Sequence, residues 1–130
     1  MTTYPTRVLE HFRNPRNQRR MADADVSTEG ANPLCGDRVR IDVQLADGLL
    51  REVTFTADAC VLCVASASLL TEHTRGMPVA AAAALDDEIA HSLIGTPVPP
   101  GRARCVTLPL DTLRRGLRES VVGGEGHLTR

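Results

Sequence analysis

Hydrophobic and polar residues follow two different periods along this chain, and the change of period divides it into elements. In YPTRVLEHFRNPRN the apolar residues Val8, Leu9 and Phe12 fall at helical spacing and Pro15 stops the pattern, which predicts a short first helix. The segment from there to Pro33 is rich in arginine and then in Asp, Ser, Gly and Asn, and it reads as a solvated, flexible stretch. Its arginines, Arg13, Arg16, Arg19 and Arg20, could dock an acidic partner, though the solvated reading is favoured. RVRIDVQL then alternates strictly, putting Val39, Ile41, Val43 and Leu45 on one face, and Asp47–Gly48 is a hairpin signal. VTFTA resumes the alternation through Val53, Phe55 and Ala57, so two antiparallel strands with one buried face are predicted.

From Cys60 the pattern becomes that of a buried helix, CVLCVASASLLTEHTRG, closed by Gly76. Pro78 opens a second helix through PVAAAAALDDEIAHSLIG, and GTPVPPGRAR is a loop. The last helix is predicted from about Thr107 to Ser120, with Val106, Leu110, Leu113 and Leu117 as its apolar stripe and Pro109 in its first turn. Residues 121–130 read as a flexible tail. The sum is one α+β domain over residues 1–130, an antiparallel sheet of about three strands with helices packed on one face.

Composition narrows the function classes. A chain of 130 residues with 42% hydrophobic content suits a single core. The 15 basic and 16 acidic residues nearly cancel, and aromatics are 2%, so neither a nucleic acid nor an anionic membrane is an expected partner. The start lacks the apolar core of a signal peptide and no run is long enough to span a bilayer, so a cytoplasmic location is expected. In that compartment, four cysteines point to metal ligands or reactive thiols rather than disulfides.

Cys35 lies before the first long strand, Cys60 at the end of the second, Cys63 one turn into the following helix and Cys105 before the last helix. The start of one strand and the end of its antiparallel neighbour share one end of a sheet, so Cys35 and Cys60 can meet there. Asp37 can bring a carboxylate to the same place, helped by the flexible Gly36. Cys63, inside an apolar helix, reads as a small buried hydrophobe. A redox dithiol of Cys60 and Cys63 has the right junction, but a hairpin precedes it where a βαβ unit belongs, and it leaves Cys35 and Cys105 unexplained. A zinc ribbon wants a second CxxC, which is missing. His11, His73 and His91 sit in helices and read as surface or partly packed residues, and His127 falls in the tail.

EHFRNPRN near the start, CGD before a strand, AC followed by ASASLLTE and RG, and a final RCVTLPLDTLRRGL together resemble the iron–sulfur cluster assembly scaffold family of the IscU, SufU and NifU N-terminal type, from roughly Val8 to Leu117. The resemblance implies that Cys35, Asp37, Cys60 and Cys105 hold a [2Fe–2S] cluster or iron, with zinc as the alternative occupant, and that Cys63 is no ligand. It implies a scaffold or carrier more than an enzyme, one that accepts sulfur from a cysteine desulfurase on Cys35, Cys60 or Cys105 and passes a cluster to apo iron–sulfur proteins. The alternative within the family is a zinc-bound SufU-type sulfurtransferase that relays persulfide sulfur. A monomer or weak homodimer is expected. Arg104 stands where many IscU-type members have histidine, which resembles the SufU branch, whereas the span from Cys60 to Cys105 lacks the SufU insertion. The residue types suit the chemistry, since thiolates bind iron–sulfur clusters and zinc and a carboxylate is a harder, more exchangeable ligand. Arg104 and the start of the last helix are expected to lower the pKa of Cys105.

Overall fold

The computed structural model describes residues 4–123. Three antiparallel strands, β1 (Val26–Asn32), β2 (Asp37–Ala46) and β3 (Leu49–Asp58), lie in the order β1-β2-β3. The β2–β3 hairpin closes on Asp47 and Gly48, both at positive φ (54° and 76°), the twist that a two-residue turn between right-twisted strands requires. Odd-numbered residues of β2 and β3, Val39, Ile41, Val43, Val53 and Phe55, are buried, as their alternation predicts. Onto this face pack α2 (Val61–Thr74), against β3, and α5 (Ala103–Gly123), against β1 and β2. α1 (Thr6–Arg13) and α4 (Asp87–Ile94) pack on α2, which is buried almost all round and is the centre of the core. Among the described residues no helix is long and apolar enough to cross a membrane.

The stretch expected to be flexible is instead structured. It contains β1, whose sequence VSTEGAN hides its strand character because only Val26, Thr28 and Asn32 are buried. Position 30 carries no side chain because α5 comes too close. A Cβ on Gly30 would overlap Thr112 Oγ1, and one on Gly116 of α5 would overlap Thr28 Oγ1. Helix and strand therefore interlock through two reciprocal glycine–threonine pairs, which neither segment's periodicity shows. Upstream, the Phe55 amide donates to Asn17 O (2.9 Å), so the chain borders the free edge of β3. It then crosses the outer sheet face, where Met21 is buried and the carboxylate of Asp42 accepts from the Met21 amide (3.0 Å), Ser27 Oγ (2.6 Å) and Arg40 Nε (3.0 Å). A buried carboxylate needs such partners, and they hold the crossing segment down.

Three helix expectations are also corrected. The alanine-rich helix is two, α3 (Val79–Ala83) and α4, because Asp86 and Asp87 favour a helix start and Arg114 Nη1 satisfies the Leu85 carbonyl at the break (2.9 Å). The final helix starts earlier, at Ala103, led in by a 3₁₀ turn at Pro100–Arg102 that a Pro/Gly-rich sequence disguises as loop. Pro109 thus lies inside α5 and leaves the Cys105 carbonyl without its helical donor. At the other end α5 reaches Gly123, three residues into the expected tail, and residues 124–130 lie outside those described. In α1, Val8 is buried as predicted, but His11 takes the other buried position and Phe12 is 37% exposed.

Candidate metal centre

One end of the sheet collects the chemistry. β1 ends at Asn32, Cys35 sits in the turn that follows, and Asp37 opens β2 directly opposite Asn32. Gly36, at φ 77°, supplies the left-handed residue that folds this turn. β3 ends at Asp58 opposite Arg38, and two residues later Cys60 precedes the first turn of α2. Cys105 enters from the first turn of α5, inside the helix rather than before it.

The side chains converge. Cys35 Sγ and Cys105 Sγ are 3.6 Å apart, and Cys35 Sγ donates to Asp37 Oδ2 at 3.3 Å. The ligand atoms of Cys35, Asp37 and Cys105 all lie within 4.8 Å of one another. Cys60 stands just outside this triad and joins through Asp37: its amide donates to Oδ1 at 3.0 Å and its thiol to Oδ2 at 3.7 Å. Burial is graded across the group, with Cys35 exposed, Cys60 half-buried and Cys105 buried. The donor set fits a soft divalent ion, since sulfurs around a tetrahedral zinc with Zn–S of about 2.3 Å stand about 3.8 Å apart.

Electrostatics explain how a carboxylate survives here. Burial is the largest influence on Asp37 and opposes its charge, yet hydrogen bonds from the Cys105 thiol, the Cys60 amide and the Cys35 and Cys60 thiols together outweigh it, and its pKa falls below the ordinary value. The expected activation of Cys105 is not found. Burial first, then its hydrogen bonds with Asp37, Cys35 and Cys60, pushes that thiol well up. Arg104 sits instead at a polar cavity of about 330 Å³ that Asn32, Asp111 and Arg114 also line. The arginine beside the sulfurs is Arg102, whose own pKa is raised by its hydrogen bond to Cys105 and then by the charges of Cys60 and Cys105. Cys63 is fully buried beneath the centre, its thiol pushed up by burial and then by Asp37, Cys60 and Cys35, which suits an inert core residue and not a redox nucleophile.

Two contributors escape sequence reasoning. Asn32 is buried and its Nδ2 donates to Cys35 Sγ at 2.9 Å, and Arg102 lies in a stretch read as loop. The NPxC spacing, an asparagine three residues before a turn cysteine, is the one signal that points to the former. Among the described residues no histidine joins the centre. His11 is buried against α2, His73 is exposed and His91 half-buried.

Residues 3–120 match the family model for the NifU-like N terminal domain. The chain belongs to that family. Within it, the chain is 34% identical to the bifunctional protein NifU/MnmA of Rubrobacter xylanophilus over 95% of its own length, while spanning only 27% of that relative. It is 34% identical to the iron–sulfur cluster assembly scaffold protein IscU 1 of Archaeoglobus fulgidus, covering 88% of this chain and 74% of that one. The zinc-dependent sulfurtransferase SufU of Bacillus subtilis is 28% identical with 94% of both chains covered. In structure, FiSufU of Fervidobacterium islandicum AW-1 superposes with a TM-score of 0.73 at 20% identity, over 88% of this chain and 96% of that one, which establishes the shared α+β fold. The matched residues include every element that feeds the centre.

Proposed function

We propose that this chain is an iron–sulfur cluster assembly scaffold of the cytoplasm, which accepts sulfur from a cysteine desulfurase, builds a [2Fe–2S] cluster on Cys35, Asp37, Cys60 and Cys105, and delivers it to apo-proteins. The observation that carries this is the convergence of three thiols and one carboxylate at an open end of the sheet. Three sulfur donors favour retention, and one harder oxygen donor gives a position from which cargo can leave. The gradient of burial supports an order of events. Cys35, exposed, meets the donor: its thiolate attacks the outer sulfur of the donor's persulfide, forming Cys35–S–SH and returning the donor's thiolate. Cys105, which is buried, acts after sulfur has arrived.

A second reading, zinc-dependent sulfur relay, is supported by the 3.6 Å separation of two sulfurs, close to the edge of a tetrahedral zinc site. Cys35, Asp37, Cys60 and Cys105 would hold that ion, which would fix the thiols as thiolates. Anaerobic incubation with ferrous iron, cysteine and a cysteine desulfurase separates the two. The scaffold reading predicts visible charge-transfer absorption and acid-labile sulfide, abolished in Cys35→Ser and retained in Cys63→Ser. Sulfur bound only as cysteine persulfide, without iron, would move the protein to the relay.

A further inference from the structure

Of the four side chains at the centre only that of Cys105 is carried inside a helix, and the helix is short of hydrogen bonds at that place. α5 begins at Ala103, two residues before the thiol, directly after the 3₁₀ turn at Pro100–Arg102. The first amides of a helix have no helical acceptors. Pro109 in turn has no amide hydrogen to give the Cys105 carbonyl four residues back, and its ring crowds that carbonyl. The turn that presents the thiol is therefore weakened from both sides.

A hydroxyl from another element meets this turn. Ser66 Oγ, on α2, donates to the carbonyl of Val106, the next one along, at 2.6 Å, and both residues are buried. The other hydroxyls that bond carbonyls near the start of α5 belong to α5 itself: Thr107 to Ala103 at 3.4 Å, and Thr112 to Leu108 at 2.8 Å. Among the described residues Ser66 is the only side chain of another element that hydrogen-bonds to the α5 backbone. It stands six residues beyond Cys60, whose amide is held by Asp37. The bond thus ties the helix that follows one thiol to the helix that carries another, one residue away from Cys105.

We propose that Ser66 is a positioning residue for Cys105: its bond to the Val106 carbonyl replaces the restraint that Pro109 removes and keeps the thiol 3.6 Å from Cys35 Sγ, where one ion can bridge the two. The proposal rests on the reading of Cys105 as a ligand and adds the residue that holds it in register. Metal ligands must stand within a few tenths of an ångström of their places, so freedom returned to this turn weakens the hold on metal before it weakens the fold.

The test adds zinc and cobalt(II), singly, to the metal-free unaltered chain and to Ser66→Ala, Pro109→Ala and the double variant. Zinc affinity is read by competition with a chelator, thiolate ligation by the sulfur-to-cobalt charge-transfer absorption, and the setting of Cys105 by its alkylation in metal-free protein under native conditions, with Cys63 as the report of global opening. Ser66→Ala is expected to weaken zinc about tenfold, to lower the charge-transfer absorption and to speed alkylation of Cys105 while Cys63 stays protected. Pro109→Ala gives the Cys105 carbonyl its donor back, so Ser66→Ala in that background is expected to cost about threefold or less. Unchanged zinc affinity and Cys105 reactivity in Ser66→Ala would overturn the proposal. So would Cys63 and Cys105 becoming reactive together, which marks a loosened fold, or an equal loss in both backgrounds. Should Ser66→Ala not fold, Pro109→Ala alone decides: slower alkylation of Cys105 than in the unaltered chain is expected, and an unchanged rate would overturn the proposal. Zinc held as tightly by Cys105→Ser as by the unaltered chain would overturn the ligand reading together with the proposal, whereas zinc lost in Cys105→Ser beside an indifferent Ser66→Ala would overturn the proposal alone.

Discussion

Asn32 is the smallest part on which the centre depends. It closes the turn through its carbonyl and holds Cys35 and Leu34 through its side chain. Asn32→Ala removes both side-chain bonds from a buried position, and a loss of about 1–3 kcal/mol of stability is expected. The sharper readout is local: alkylation of Cys35 should accelerate in Asn32→Ala while Cys63 stays protected, as followed by mass spectrometry under native conditions. Unchanged Cys35 reactivity would remove the asparagine from the account. Asp37, Cys35 and Cys60 were legible as neighbours because a CGD turn and a strand end share one end of the sheet, whereas Cys105 joined them only through the family resemblance. Asn32 and Arg102 were not, because an asparagine in a turn and an arginine after prolines have ordinary local uses, and only the fold shows what they touch.

Among elements, the α5–β1 contact is the one most sensitive to a single methyl group. Gly116→Ala places a Cβ on Thr28 Oγ1 at a strand edge that cannot retreat without breaking its pairing with β2. A destabilisation of about 1–3 kcal/mol is expected, measured by chemical denaturation. Combining it with Thr28→Ala should return part of that, since the hydroxyl clash goes and a tight Cβ contact remains. The α1–α2 contact answers to pH. His11 is 7% exposed, 2.7 Å from Ser68 Oγ, and its pKa lies below the ordinary 6.5 because of burial first and the Arg16 charge second, against the opposing charges of Glu72 and Glu10. A histidine depressed in the folded state contributes stability that is present above about 6.5 and is lost as pH falls through the folded value. The unfolding midpoint should therefore drop on acidification below about 6.5, and His11→Gln should flatten that part of the profile. The strands β2 and β3 were legible because each buries a face with a clean period, and α2 because its small and aliphatic run is buried almost all round. β1 and the start of α5 were not, since one is a half-polar edge strand hollowed by glycine and the other is preceded by prolines.

At the scale of the molecule, the centre ties together the β1–β2 turn, the first residue of β2, the start of α2 and the first turn of α5. A bound ion would cross-link all of them, so zinc at 100 times its dissociation constant should stabilise the fold by about 2.7 kcal/mol, and chelation should reverse it. A midpoint indifferent to zinc and to chelator would mean that these side chains do not close on metal. The family was legible from the order of short motifs along nearly the whole chain, whereas the exposure of Leu34 is invisible to any pattern of residue types. The central claim is that four side chains, Cys63 excluded, hold an assembling cluster. Native mass spectrometry of protein purified without oxygen, before and after incubation with ferrous iron, cysteine and a cysteine desulfurase, tests it most directly. The scaffold reading predicts a mass increment of one [2Fe–2S] unit, absent in Cys35→Ser and present in Cys63→Ser. A single retained zinc with sulfur added to a cysteine and no iron taken up, or equal loss of the cluster in both variants, would contradict it.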